Sequence, residues 1–231
     1  MRGVPEPMAI NEDTSLSNRH TCVTAATGGG KSQCMYDIIP ANGVRAVFWD
    51  VDKDHDCLRF TDKRRFLKAL NSANKSGKPF RVGWSGDDDQ ETFLWWCSAV
   101  WAVLDGRKDT YVVVEEAADL ELGAGKAPLQ FGRIIRRGRK YGAILVTCTQ
   151  RCQEIPKQLL TQSAIVFVGL QAQHDAKYLA KMFPIDPETL PRTEPLQFYR
   201  IEKGGGSKVK VTYKHRNKSG QRGRRTRKKV A

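Results

Sequence analysis

Residues 24–32 read TAATGGGKS, and no other stretch constrains the fold as tightly. It joins two segments of different character. Ahead of it, HTCVTA (20–25) is short, alternates weakly and suits a buried strand. Behind it, KSQCMYDIIP (31–40) carries helix formers and stops at Pro40. A strand that turns through glycine straight into a helix leaves unpaired N–H groups at the helix start, where an anion binds. In that context GxxxxGK[ST] is a phosphate-binding loop. Its eight positions here are Ala25 to Ser32, and seven fit.

The mismatch is Ala25, where the first glycine normally stands. The inner glycines Gly28, Gly29 and Gly30 let backbone N–H groups turn toward a phosphate with no Cβ in the way. Lys31 reaches the β and γ phosphates, and Ser32 offers a hydroxyl to Mg²⁺. The first position serves the strand exit, and alanine is the smallest residue after glycine. The exchange therefore removes no ligand. The expected nucleotide-contacting set is Thr27, Gly28, Gly29, Gly30, Lys31, Ser32 and Gln33. The bland alternative is a glycine turn that merely starts a helix.

Strand and helix patterns alternate from about 20 to 183. VRAVFWDVD (44–52), PFRVGWS (79–85), TYVVVEEAADL (110–120), YGAILVTCTQ (141–150) and SAIVFVGL (163–170) read as strands. Helical patterns fall at 62–75, in SGDDDQETFLWWCSAVWAVLDG, at 128–140 and in QHDAKYLAKMF (173–183). Such alternation predicts an α/β fold with a mainly parallel sheet sandwiched by helices, and ligands at the carboxyl ends of the strands. With the glycine loop it predicts a P-loop NTPase. LQFYRIE and KVKVTYKH, joined by KGGGS, add a C-terminal β-hairpin. The expected organisation is an irregular lead-in over 1–19, a P-loop ATPase domain over 20–202, and a hairpin strand with a basic tail over 203–231. Trp95, Trp96 and Trp101 could stack on bases, but their helical spacing favours packing on the sheet.

The net charge of +14 is unevenly placed. From Lys203 onward there are 12 Lys or Arg and no acid, leaving 27 basic against 25 acidic residues over positions 1–202. A nearly neutral body with a cationic tail points to a polyanionic partner, nucleic acid above all. The six cysteines lack metal-ligand spacing, and the N-terminus has no apolar signal region. No run approaches the length of a membrane span, so a cytosolic protein without a transmembrane segment is expected. DVDKDHD (50–56) spaces its acids like a calcium loop but has His55 and Thr61 where glycine and glutamate are needed, so it is rejected.

Three further elements complete a hydrolytic set. VVVEE places Glu115 and Glu116 at a strand end: Glu115 would face the metal shell and Glu116 would act on the attacking water. Thr149-Gln150 ends another strand, and Gln150 would sense the γ phosphate or position water, unless it is an ordinary strand terminus. RIIRRGRKYG (133–142) holds too many cations for one site within a chain. Some would stabilise charge in a neighbouring subunit, and others would contact DNA phosphates.

Taken together, TGGGKS, VVVEEAADL and RRGRKYGAILVTCTQRCQEIP resemble the HerA/FtsK superfamily of DNA-pumping ATPases. Within it they look most like the genome-packaging ATPases of internal-membrane viruses such as tectiviruses and corticoviruses. The family's loop is usually GxTGSGKS, so Thr27 and Gly28 match and Ala25 departs. Its second motif is usually Asp-Glu, where this chain has Glu115-Glu116. The resemblance implies the RecA/ASCE-like form of the P-loop fold. It implies ATP and Mg²⁺ as cofactors, with Glu116 as catalytic base, Gln150 as sensor and Arg139 as the trans-acting finger, or Arg136 if that register slips. It also implies a hexameric ring around double-stranded DNA, docking at a capsid vertex or on internal-membrane packaging proteins in the host cytoplasm. Competing readings are a filamentous-phage-type assembly ATPase, a DNA-associated nucleotide-binding protein with little hydrolysis, and a nucleoside-monophosphate kinase. The first normally carries a membrane segment, and the last lacks an acceptor lid here.

Overall fold

The structure is a computed structural model that describes residues 8–203 and 205–214. In chain order the elements are β1 (Thr21–Thr24), α1 (Lys31–Ile38), β2 (Arg45–Trp49), β3 (Leu58–Phe60), α2 (Lys63–Ser76), β4 (Phe80–Trp84), α3 (Gln90–Trp101), β5 (Thr110–Val114) and α4 (Leu129–Arg137). Then follow β6 (Ala143–Thr149), α5 (Lys157–Thr161), β7 (Ile165–Val168), α6 (Gln173–Ala180), β8 (Gln197–Glu202) and β9 (Gly205–Lys210). One sheet takes all nine strands in the order β3-β4-β2-β5-β6-β1-β7-β8-β9. Its first seven strands run parallel, and β8 and β9 return antiparallel as the expected hairpin. The basic tail predicted at the C-terminus lies outside the described residues from position 215.

Strict alternation along the buried strands builds two cores. Val47, Trp49, Val112, Val114 and Leu145 face one way with α2, α3, α4, α5 and α6. Ala46, Phe48, Val113, Ile144 and Val146 face the other, toward α1 and the C-terminal segment at Phe198 and Val211. Helices thus cover both faces, but unevenly: α1 shares its face with Phe198 and Val211. Trp96 and Trp101 are buried and Trp95 is packed against the same core, so the tryptophans are structural. Trp49, Phe93 and Trp96 meet ring against ring with centroids 5.1–5.9 Å apart.

Four local features differ from the sequence reading. A short strand, β3, precedes the strand expected at 79–85, and it pairs with β4 at the edge of the sheet. The five-residue α5 was not anticipated. The basic helix expected over 128–140 ends at Arg137 and gives way to a 3₁₀ turn over Gly138–Tyr141, which Gly142 closes at φ 73°. Finally, residues 8–19 lack helix or strand but dock on the domain. Ile10 N–H donates to Leu104 O, Asp13 N–H to Lys140 O, and Lys140 and Tyr141 both hold the Glu12 carboxylate.

Candidate nucleotide site

The glycine loop leaves β1 and turns at Gly28 (φ 78°) and Gly30 (φ 97°), a left-handed pair suited to glycine. Gly30 is the N-cap of α1 and no side chain caps it, so the first N–H groups of the helix are available to an anion. The loop is backed by Leu196. Its N–H donates to Gly29 O at 3.1 Å, and a Cβ on Gly30 would come within 2.7 Å of its side chain. Lys31 Nζ rests on Ala25 O at 3.1 Å, and Ser32 lies half-buried in the first turn. Left-handed glycines, an uncapped helix start and a lysine resting on a backbone carbonyl fit a polyphosphate.

The structure also accounts for Ala25. It is fully buried, and its methyl fills the space a Cβ on Gly29 would need, at 2.9 Å. A Cβ on Gly169 would meet it at 3.0 Å. The loop that this one resembles has its Cβ at the serine and none at the first glycine. This chain exchanges the two, so one side chain still fills one gap.

Strand order brings the remaining residues to the same end. β6 lies between β1 and β5, with Thr24 level with Thr149 and Val114 level with Thr147. Gln150 therefore projects beside the loop, and Thr27 Oγ1 donates to Gln150 Oε1. Glu116 adopts φ 38°, a strained conformation for a residue with a Cβ. That twist turns its carboxylate toward β6, where Oε1 accepts Gln150 N–H at 2.9 Å and Thr149 Oγ1–H at 3.2 Å. Thr27, Gln150 and Glu116 thus form one connected chain.

Glu115 turns the other way. Its side chain is nearly buried, and Oε1 stands 3.0 Å from His55 Nε2. Burial pushes its carboxyl up, His55 opposes that, and Asp54 and Asp50 add to the rise. Beside it a hollow of about 60 Å³ is lined by Asp52, Asp88, Glu115, Glu116 and Asp119. Burial likewise raises the Asp119 carboxyl, with Glu116 and Asp52 adding to it. So much negative charge in one place fits a hard divalent cation.

Three predicted residues stand differently. Gln33 uses Oε1 to accept Lys214 N–H at 2.7 Å. Arg136 is exposed and donates to Gln158 Oε1 at 3.2 Å. Arg139 precedes β6, at the opposite end of the sheet from the loop, and donates through Nη1 to Thr14 O and Leu16 O of the lead-in. Neither arginine joins the site of its own chain. His55 was overlooked: in the sequence it only disqualified a calcium loop, and nothing there announced its contact with Glu115.

No family model matches the chain. It is 35% identical over 170 residues to Protein P9 of Pseudoalteromonas phage PM2, covering 73% of this chain and 76% of that protein. In fold it is similar to the genome packaging NTPase B204 of Sulfolobus turreted icosahedral virus 2 in complex with AMPPCP. That likeness has a TM-score of 0.69 and 13% identity, over 85% of this chain and 99% of that one. It is also similar to the pCW3 conjugation coupling protein TcpA with ATPγS, with a TM-score of 0.53 and 15% identity, over 85% and 61% of the two chains. A glycine loop on a mainly parallel sheet, matched along its length by these nucleotide-bound structures, is the P-loop NTPase fold. The extent of its identity to the phage protein places the chain in a family: it belongs to that of Protein P9 of phage PM2.

Proposed function

We propose that this chain is an ATP-hydrolysing motor that pumps double-stranded DNA into a preformed viral capsid. The observation that carries the reading is the link from Thr27 through Gln150 to Glu116, which ties the phosphate loop to a carboxylate that follows β5, across the intervening β6. A nucleotide-binding protein with little hydrolysis has no need of a strained glutamate there. Membership of a phage protein family and a fold shared with a genome packaging NTPase support the same reading.

In this mechanism the N–H groups of the loop and Lys31 hold the phosphates, with Thr27, Gly28, Gly29, Gly30 and Ser32 shaping the cradle. Bound Mg²⁺ would supply positive charge that offsets the charge developing on the phosphates. Ser32 and Glu115 are the residues that would hold it. Both hydrogen bonds to Glu116 fall on Oε1, which leaves Oε2 to accept a proton from water. Gln150, held through its side chain by Thr27 and its N–H by Glu116, reports the state of the phosphate end to that base. Arg139, remote from its own loop, serves the loop of a neighbouring subunit in a ring, here taken as a hexamer, with Arg136 as the second candidate. Assembly takes place in the host cytoplasm, with docking at a capsid vertex or an internal-membrane protein. Among the described residues no helix is long and apolar enough to cross a membrane.

The test is ATP turnover with and without double-stranded DNA. Wild type should be stimulated by DNA, and Lys31→Ala and Glu116→Gln should be inactive. Mixing Lys31→Ala with Arg139→Ala should restore part of the activity, because mixed rings contain interfaces with an intact loop and an intact arginine. DNA-independent turnover, or a mixture as silent as its parts, would remove the motor reading or the trans arginine respectively.

A further inference from the structure

The turn between β2 and β3 is built around one buried carboxylate. Asp50 has no exposed surface. Its N–H donates to Trp84 O and its carbonyl accepts Ser85 Oγ–H, which locks its main chain between β2 and β4. Its Oδ1 accepts Asp54 N–H at 2.6 Å and His55 N–H at 3.1 Å, and its Oδ2 accepts Arg59 Nε–H at 2.9 Å. Tyr36 then donates to Asp54 O at 2.8 Å and ties the turn to α1, the helix that opens with Lys31 and Ser32. All of this converges on His55, which is 1% exposed and lies against the rings of Phe48 and Tyr36.

We propose that His55 is a positioning residue for Glu115, fixing its Oε1 so that the carboxylate keeps a single direction. The inference rests on Glu115 serving the metal shell. A glutamate in place of the usual aspartate has one more rotatable bond, and a second contact is needed to give it a single direction. The Asp50 turn supplies that contact from a fixed backbone, and Tyr36 keeps it in register with the loop helix. The three side chains Asp50, His55 and Glu115 bring ligand atoms within 4.8 Å of one another, a spacing that also suits a bound transition metal. Asp50 argues against it: one oxygen already takes two N–H groups and the other an arginine cation.

The test measures Mn²⁺ binding by electron paramagnetic resonance in the presence of AMPPCP, alongside AMPPCP binding without metal. His55→Leu should weaken Mn²⁺ binding about tenfold, the scale expected for residues that orient metal ligands. Metal-free AMPPCP binding should stay within about twofold, and His55→Gln, which keeps a donor, should recover most of the loss. Equal losses in Leu and Gln variants, or an equal loss of metal-free binding, would reduce His55 to packing and overturn the proposal. Glu115→Gln tests the parent reading. If it leaves Mn²⁺ binding intact, Glu115 is outside the metal shell. If it weakens binding while His55→Leu does not, only the positioning role fails. Stoichiometric zinc in the purified protein, lost in His55→Gln, would also overturn it. Should His55→Leu not fold, the imidazole ¹⁵N shifts of His55 decide: they should move in Glu115→Asp, and unchanged shifts would sink the idea.

Discussion

Gly29→Ser, which restores the residue usual in the loops this one resembles, should destabilise this protein, and should do so less when Ala25→Gly accompanies it. A Cβ at position 29 would stand 2.9 Å from the Ala25 methyl and 3.0 Å from Ala26 O. Two methyl carbons are at ease near 3.5–4.0 Å, so the loop or the strand exit must shift. Overpacking of this kind costs about 1–3 kcal/mol. Ala25→Gly removes one buried methyl, worth about 0.8 kcal/mol, and frees the unfolded chain by about another 0.4–1 kcal/mol. In the double variant the methyl contact is gone, while the contact with Ala26 O remains. The double variant should therefore be more stable than the sum of the single changes predicts, by about 1–2 kcal/mol. Equilibrium urea unfolding of the four proteins without nucleotide measures this directly. Additivity to within about 0.5 kcal/mol would refute the idea that Ala25 and Gly29 exchange one side chain between them.

Other outcomes follow from the same structure. His20 is buried, its Nδ1 accepts Leu145 N–H at 3.1 Å, and burial lowers its pKa from 6.5 to about 4. The unfolded chain then binds the extra proton first, so stability should fall as pH drops from about 6.5 toward 4, by up to about 1.4 kcal/mol per pH unit. His20→Gln should show a flatter acid slope than wild type, and identical slopes would contradict the burial argument. Thr27→Val removes the hydroxyl that holds Gln150 and should lower ATP turnover about three- to tenfold with little change in nucleotide affinity. Equal losses in both would make Thr27 a binding residue only. Deleting residues 215–231 removes eight Lys or Arg and should weaken DNA binding while flattening its dependence on salt. An unchanged salt slope would mean that the tail binds something other than DNA.

The parallel sheet was legible because its strands are runs of β-branched and aromatic residues that need burial on both faces. The elements that escaped are those whose stability comes from neighbours. β3 is three residues long and exists through its pairing with β4, and α5 has five residues held by Leu159 and Leu160. The glutamates were legible as a pair but not as opposites. Alternation along a strand sends neighbours to different faces, yet only the strand order shows that one meets Gln150 just past β6 and the other His55 beyond β2. The arginines of RRGRKYG were visible as a cluster, whereas their distance from the loop of their own chain depends on the direction in which β6 runs.

Leu196 has a further consequence. Its N–H holds Gly29 O, its side chain underlies Gly30, and its carbonyl accepts Val211 N–H at 2.8 Å. Three residues on, Lys214 binds Gln33 and Tyr36 of α1. A pull on the chain beyond residue 214 therefore enters the protein at the helix that begins with Lys31 and Ser32, not at the outer edge of the sheet where β9 lies. Cargo gripped by that end would place its load directly on the phosphate loop.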